Sequence, residues 1–169
     1  MRKLLFIPII LFLFSACWVE SVSFIDGNTP EEWKQFSLKT LENNAPNAPL
    51  SYAAQLSEKV KDQIQNNTRL LLSSSTKDTQ IDIEGKINSY TITPVAIQQG
   101  DAAAQNRLTI SATFTLFIKE PKEEQRLVST SRFVDYNSGL DLATVEATLL
   151  EEINAQIAQD VINKLTSNW

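Results

Sequence analysis

Between residues 108 and 118 the chain alternates without a break. Leu108, Ile110, Ala112, Phe114, Leu116 and Ile118 point one way, and Thr109, Ser111, Thr113 and Thr115 the other. Strict alternation of this length predicts a half-buried antiparallel strand. Its second face is hydroxyl-rich rather than charged. Residues 80–93 alternate too. Ile81, Ile83 and Ile87 share one face, with Gly85 among them, and Asp82, Glu84, Lys86 and Asn88 share the other. After Ser89 the apolar set moves to Tyr90 and Ile92, the wrong parity, which predicts a bulge near Asn88-Ser89. Pro94 ends that ladder or places it at an edge. Weaker strands are expected over Trp33–Leu38, Arg69–Ser73 and Arg126–Val134, the last returning through a charged turn over Lys119–Gln125.

Two stretches carry helical period instead. Leu56, Val60 and Ile64 recur every fourth residue, with Glu58, Lys61 and Asp62 mostly opposite. This predicts an amphipathic helix over 49–66, with Pro49 as its first residue. Leu142, Val145, Leu149, Ile153, Ile157, Val161 and Leu165 form the stripe of a longer helix ending near Thr166, with Asp141 as N-cap and Lys164 near its C-terminus. Consecutive strands with short connections between 69 and 134 pair most simply as a meander. Two helices with single apolar faces bury them together. The expected fold is α+β: a two-layer sandwich with a mostly antiparallel sheet of about four strands and both helices on one face. The other sheet face, Thr109 to Thr115 included, is then left uncovered by its own chain.

The first residues have a different pattern. Met1-Arg2-Lys3 is a positive start, Leu4–Phe14 is an apolar run, and Ser15-Ala16 precede Cys17, the single cysteine. That is the layout of a secretory leader, and the run falls short of the ~20 residues that span a bilayer. Its end resembles a bacterial lipobox, which implies cleavage before Cys17 and lipid on that cysteine. The expected organisation is a cleaved leader over 1–16, a lipid-anchored tether over 17–32 with a short strand at Ser21–Phe24, and one domain over 33–169. The lone cysteine then leaves no disulfide framework.

Composition excludes more than it assigns. Fifteen basic and twenty acidic residues give a net −5, or −7 once Arg2 and Lys3 leave with the leader. That balance argues against non-specific nucleic-acid binding and against charge-driven adhesion to anionic membrane. The chain has no histidine, which removes the usual general base and the commonest metal ligand. Gly27, Gly85, Gly100 and Gly139 are too scattered for a phosphate loop. Asp135, Asn137, Gly139, Asp141 and Glu146 resemble a calcium loop only loosely, because the glycine comes one place early. No catalytic residue, metal site or cofactor is expected beyond the covalent lipid on Cys17.

Several blocks share an order and spacing with one family. They are Ser23-Phe24 with Gly27, Leu41–Pro46, Asn67–Leu70, Ile83–Ile87 through Tyr90, Thr93–Ala96, Asn106–Ile110, Asp160–Asn163 and Asn168-Trp169. Together the chain resembles the lipopolysaccharide-assembly lipoproteins (LptE family), in the form found in Bacteroidota. The resemblance implies a non-enzymatic lipoprotein of the outer membrane that plugs a large β-barrel partner of the LptD type. It implies help in assembling that barrel and in inserting lipopolysaccharide at the cell surface. Under it, Lys119, Lys122 and Arg126 at one hairpin, and Arg107 before the long strand, are candidate contacts to lipopolysaccharide phosphates. The alternative is a lipid-anchored periplasmic regulator of a cell-wall synthase, or an accessory lipoprotein of a lipid-transport ATPase.

Overall fold

The computed structural model describes residues 29–95 and 104–167. The leader, Cys17, the Ser21–Phe24 stretch and Asn168-Trp169 lie outside the described residues. In chain order the elements are β1 (Gln35–Leu38), β2 (Glu42–Asn43), α1 (Tyr52–Asn67), β3 (Leu71–Leu72), β4 (Ile81–Val95), β5 (Gln105–Ile118), β6 (Glu124–Asn137) and α2 (Leu142–Thr166). One sheet runs in the order β3-β1-β4-β5-β6, with β2 also on β4. Both helices pack against each other, and α2 lies on β6 and β5. The class is the expected two-layer α+β sandwich.

The sheet has six strands rather than about four. The expected meander holds only for β4-β5-β6, which pair antiparallel throughout. β3 does not pair with β4, because β1 lies between them, parallel to both. A parallel pair needs a crossover, and α1 supplies it between β1 and β3. The 69–73 strand shrinks to Leu71–Leu72. Trp33 precedes β1 instead of belonging to it; its indole Nε1 donates to the Glu120 carbonyl at 2.6 Å.

The helix over 52–67 begins later than Pro49, since the Tyr52 amide closes a turn onto the Pro49 carbonyl at 2.9 Å. α2 starts where the sequence places it, with the Asp141 carboxylate accepting from the Ala143 amide at 3.2 Å. The predicted bulge is present as a register shift between Ile87 and Ser89. Pro94 pairs with Asn106 on one side. On its other side β1 and β2 reach only as far as Ile87, so the proline occupies a locally free edge, where its missing N–H costs no ladder bond.

The core is the layer between helices and sheet. Phe36, Leu56, Val60, Ile64, Ile81, Ile87, Leu108, Ile110, Phe114, Leu116, Ile153, Ile157 and Val161 are fully buried there. Polar groups within it are matched. Tyr52 Oη donates to Asn154 Oδ1 at 2.7 Å, tying α1 to α2, and burial pushes the Tyr52 phenol above its ordinary range. Ser57 Oγ donates to the Ala53 carbonyl at 2.5 Å and accepts from the Leu41 amide at 2.9 Å.

Candidate interaction face

Side chains of β5 alternate, so the register fixes what shares the face away from the helices. The rows across β4, β5 and β6 are Glu84-Thr115-Leu127, Lys86-Thr113-Ser129, Ser89-Ser111-Ser131, Thr91-Thr109-Phe133 and Thr93-Arg107-Asp135. The middle of this face is hydroxyl. Apart from Lys86, its charges stand towards the ends, and most of those find partners within the chain. No described element covers it.

Hydroxyls in the middle bond across strands. Ser89 and Ser111 lie 2.6 Å apart at Oγ, and Asn88 Nδ2 donates to Thr113 Oγ1 at 2.8 Å. At one end Arg107 makes a bidentate pair with Asp135 at 2.7 and 2.8 Å and stacks over the Phe133 ring at 3.8 Å. The Arg107 guanidinium holds the Asp135 carboxyl below the usual carboxylate range. At the other end Asp82 accepts from Ser37 and Thr79 at 2.6 Å each and pairs with Lys119 Nζ at 2.7 Å. Partial burial pushes Asp82 up, but these three donors outweigh it and hold the carboxyl below its ordinary value.

The four cations named from the sequence do not form one cluster. Lys119 follows inward-facing Ile118, so it lies on the bare side, bonded to Asp82 and to the Thr76 carbonyl at 2.6 Å. Arg126 is opposite Leu116 and so faces the helices. It donates to the carbonyls of Lys164, Leu165 and Ser167 at 3.2, 3.0 and 2.8 Å, closing the C-terminal end of α2, and pairs with Glu124 at 2.8 Å. Lys122 is exposed in the turn between β5 and β6. Arg107 is at the far end of β5, bound to Asp135.

Two features had weaker signals in the sequence. Leu127, Phe133 and Phe117 are apolar yet exposed, and all three lie on the bare face. Along β6 apolar residues fall on both faces, which hides the alternation. On the helix side Asp160 of α2 takes a bond from Thr130 and a bidentate pair from Arg132. Partial burial pushes Asp160 up, and the Arg132 and Thr130 bonds more than reverse that. An open groove of about 740 Å³ runs beside this pair, between β6 and α2.

Among the described residues no group of histidine, cysteine, aspartate and glutamate is arranged to hold a metal ion. Asp141 caps α2, and the Gly139 amide donates to Asn137 Oδ1 at 2.8 Å in a local turn. No described helix is long and apolar enough to cross a membrane.

An open-faced α+β sandwich with two helices on one side and a hydroxyl-rich sheet on the other is the class of protein these features define. The model of the LptE family, described as lipopolysaccharide-assembly, matches residues 33–165, and the chain belongs to that family. Solved structures share the fold. A minor lipoprotein from Acinetobacter baumannii superposes with a TM-score of 0.51 at 15% identity, over 80% of this chain and 94% of that one. A hypothetical protein from Chlamydia trachomatis gives a TM-score of 0.56 at 11% identity, over 80% of this chain and 99% of that one. No curated protein matches the chain.

Proposed function

We propose that the chain is a non-enzymatic, lipid-anchored lipoprotein of the outer membrane. Its bare sheet face seats it in the lumen of a β-barrel partner of the LptD type, where it aids barrel assembly and lipopolysaccharide insertion. One observation carries this reading: the face of β4, β5 and β6 turned away from the helices, with serine and threonine at its centre. Interiors of outer-membrane barrels are polar. A hydroxyl surface exchanges hydrogen bonds with such a wall without stranding a buried charge. Family membership supports the lipopolysaccharide part of the reading. The anchor is the lipid on Cys17; one acyl chain gives only marginal binding, so several chains are required for a lasting tether.

Lipopolysaccharide phosphates would meet Lys122 in the hairpin turn first; Lys119 beside it and Arg107 at the far end of the same face would have to exchange Asp82 and Asp135 for phosphate. Arg126 is already engaged by α2. The test is capture of the barrel from detergent-solubilised outer membrane by the tagged chain. Ser111→Arg with Thr113→Arg crowds and charges the middle of the face without touching the core. Capture is expected to be lost while the chain still unfolds cooperatively, its melt lowered only by the loss of the Ser89–Ser111 and Asn88–Thr113 bonds. Equal capture by this variant refutes the seating, and recovery of a cell-wall synthase or an inner-membrane complex in place of a barrel refutes the whole reading.

A further inference from the structure

One edge of the sheet is β3, two residues long; the other is β6, fourteen residues long and paired with β5 alone. Folded proteins normally blunt a long edge with a proline, a bulge or a short strand. Residues 124–137 contain no proline and no glycine, and the β5–β6 register runs from end to end without a shift. The register also says which residues turn their backbone outward. The Ser138 amide donates to the Ala104 carbonyl at 3.0 Å, one place beyond the Gln105–Asn137 pair. Hydrogen-bonded and non-bonded pairs alternate along an antiparallel ladder. Even-numbered residues of β6 therefore bond to β5. The odd-numbered ones, Leu127, Ser129, Ser131 and Phe133 among them, turn N–H and C=O to the open edge.

Beyond this edge runs the groove of about 740 Å³. Ser129 and Ser131 line it from the bare side of β6, and Thr130 and Arg132 from the helix side, as only a space past the strand edge allows. Asp160, Asn163, Lys164 and Ser167, on one stripe of α2, line it along its length. The lined stretch of β6, residues 127–132, is about 20 Å long at strand rise. With α2 along one side, the space suits one extended segment and not a second folded domain. We propose that the groove takes an extended segment of the barrel partner as a further strand on β6. This rests on the seating proposed above. The wall of a closed barrel has no free edge, so it offers β6 no backbone groups; a loop that enters the lumen does. The groove also specifies the segment. On the bare side it calls for apolar side chains opposite Leu127 and Phe133, which are 59% and 49% exposed. Small or hydroxyl side chains fit between them, opposite Ser129 and Ser131. On the helix side the segment meets hydroxyls and amides. Of the three charges that line the groove, Arg132 and Asp160 pair with one another, which leaves Lys164 for a carboxylate.

Barrel capture reads the seating, and the edge is read separately on the same full-length chain. The photoreactive residue benzoylphenylalanine is placed at Asn163, which is exposed beside the groove and not on the bare face. Irradiation is expected to cross-link it to the captured barrel protein, at an extended stretch with apolar residues at alternate positions. Ser131→Pro removes an outward N–H without taking a bond from β5, whereas Ser131→Ala keeps that N–H and loses the same hydroxyl. The cross-link per captured barrel should fall at least tenfold in Ser131→Pro relative to Ser131→Ala. If the proline variant does not fold, hydrogen exchange on the parent chain decides: the Ser129 and Ser131 amides should exchange at least tenfold more slowly in the captured complex than in the free chain. Capture without the Asn163 cross-link, a cross-link to a different protein, or equal exchange in both states overturns the edge proposal and leaves the seating standing. So does a cross-link equally strong in the proline and alanine variants. Failure of the parent chain to capture any barrel removes the seating and this proposal with it.

Discussion

Gly85 lies on the helix face of β4, in line with Ile81, Ile83 and Ile87, where its nearest side chains are the apolar Phe114 and Leu41. A Cβ placed there would stand 2.8 Å from Phe114 Cδ1, 3.1 Å from the Thr113 carbonyl oxygen and 3.2 Å from Leu41 Cδ2. Ordinary carbon–carbon contact is ~3.5–4.0 Å, so Phe114 would have to retreat by more than half an ångström. It has nowhere to go. Phe114 is fully buried and Leu41 nearly so, and the third obstacle is backbone of β5. Overpacking of this kind costs about 1–3 kcal/mol, against which alanine regains about 0.5–1 kcal/mol of glycine's backbone entropy. Gly85→Ala should therefore destabilise by roughly 1–2 kcal/mol, and Gly85→Val by more. Urea unfolding followed by circular dichroism gives the difference directly. Phe114→Leu combined with Gly85→Ala should recover part of the loss, because the two residues share one space. A Gly85→Ala chain as stable as the parent would mean that Leu41 and Phe114 do not close over β4 as described.

Two other outcomes follow from buried polar groups and from charge. Tyr52→Phe leaves Asn154 Oδ1 buried without its donor and should cost about 1–3 kcal/mol in the same unfolding experiment, whereas adding Asn154→Leu should restore most of it; a neutral single variant would break the α1–α2 tie. Asp82, Asp135 and Asp160 all have folded-state carboxyls held below their ordinary values, so their contribution is present above about pH 4, the unfolded carboxylate value, and is lost as pH falls through the lower folded values. Melting temperature should be flat in these terms near neutrality and fall in acid, less so in Asp160→Asn; an acid limb that this variant leaves unchanged removes Asp160 from the account.

The long-period features were legible because burial is one-sided. β5 had to alternate, since one face meets helices and the other meets none, and the parity break at Asn88-Ser89 had to be a bulge once both flanks of β4 paired with β5. The stripes of α1 and α2 were legible for the same reason. β1 between β3 and β4 was not. A four-residue strand that pairs parallel through a helical crossover leaves no local mark, and β2 and β3, two residues each, leave still less. The hairpin cations show a different limit. Lys119 and Arg126 are near one another around a turn, yet strand register sends Lys119 to the bare side and Arg126 to the end of α2. Nearness in sequence fixes a common turn but not a common face.

That separation bears on how the bare face works. A surface meant to be covered by a polar wall can be built from charges or from hydroxyls, and the two are not equivalent. A charge that loses water without gaining a partner costs several kcal/mol, so each one demands a matching charge at a fixed place. A hydroxyl both donates and accepts, rotates to suit, and loses far less when imperfectly met. Apart from Lys86, which stands beside the serine row, the charges of this face lie towards its two ends and are paired there: Asp82 with Lys119 and Lys39 with Glu84 at one end, Arg107 with Asp135 at the other. What remains in the middle is a row of three serines across β4, β5 and β6, flanked by threonines. Such a surface tolerates a wall of many compositions and still excludes an apolar one, which makes the position of charge on this face, more than its amount, the quantity that decides what can cover it.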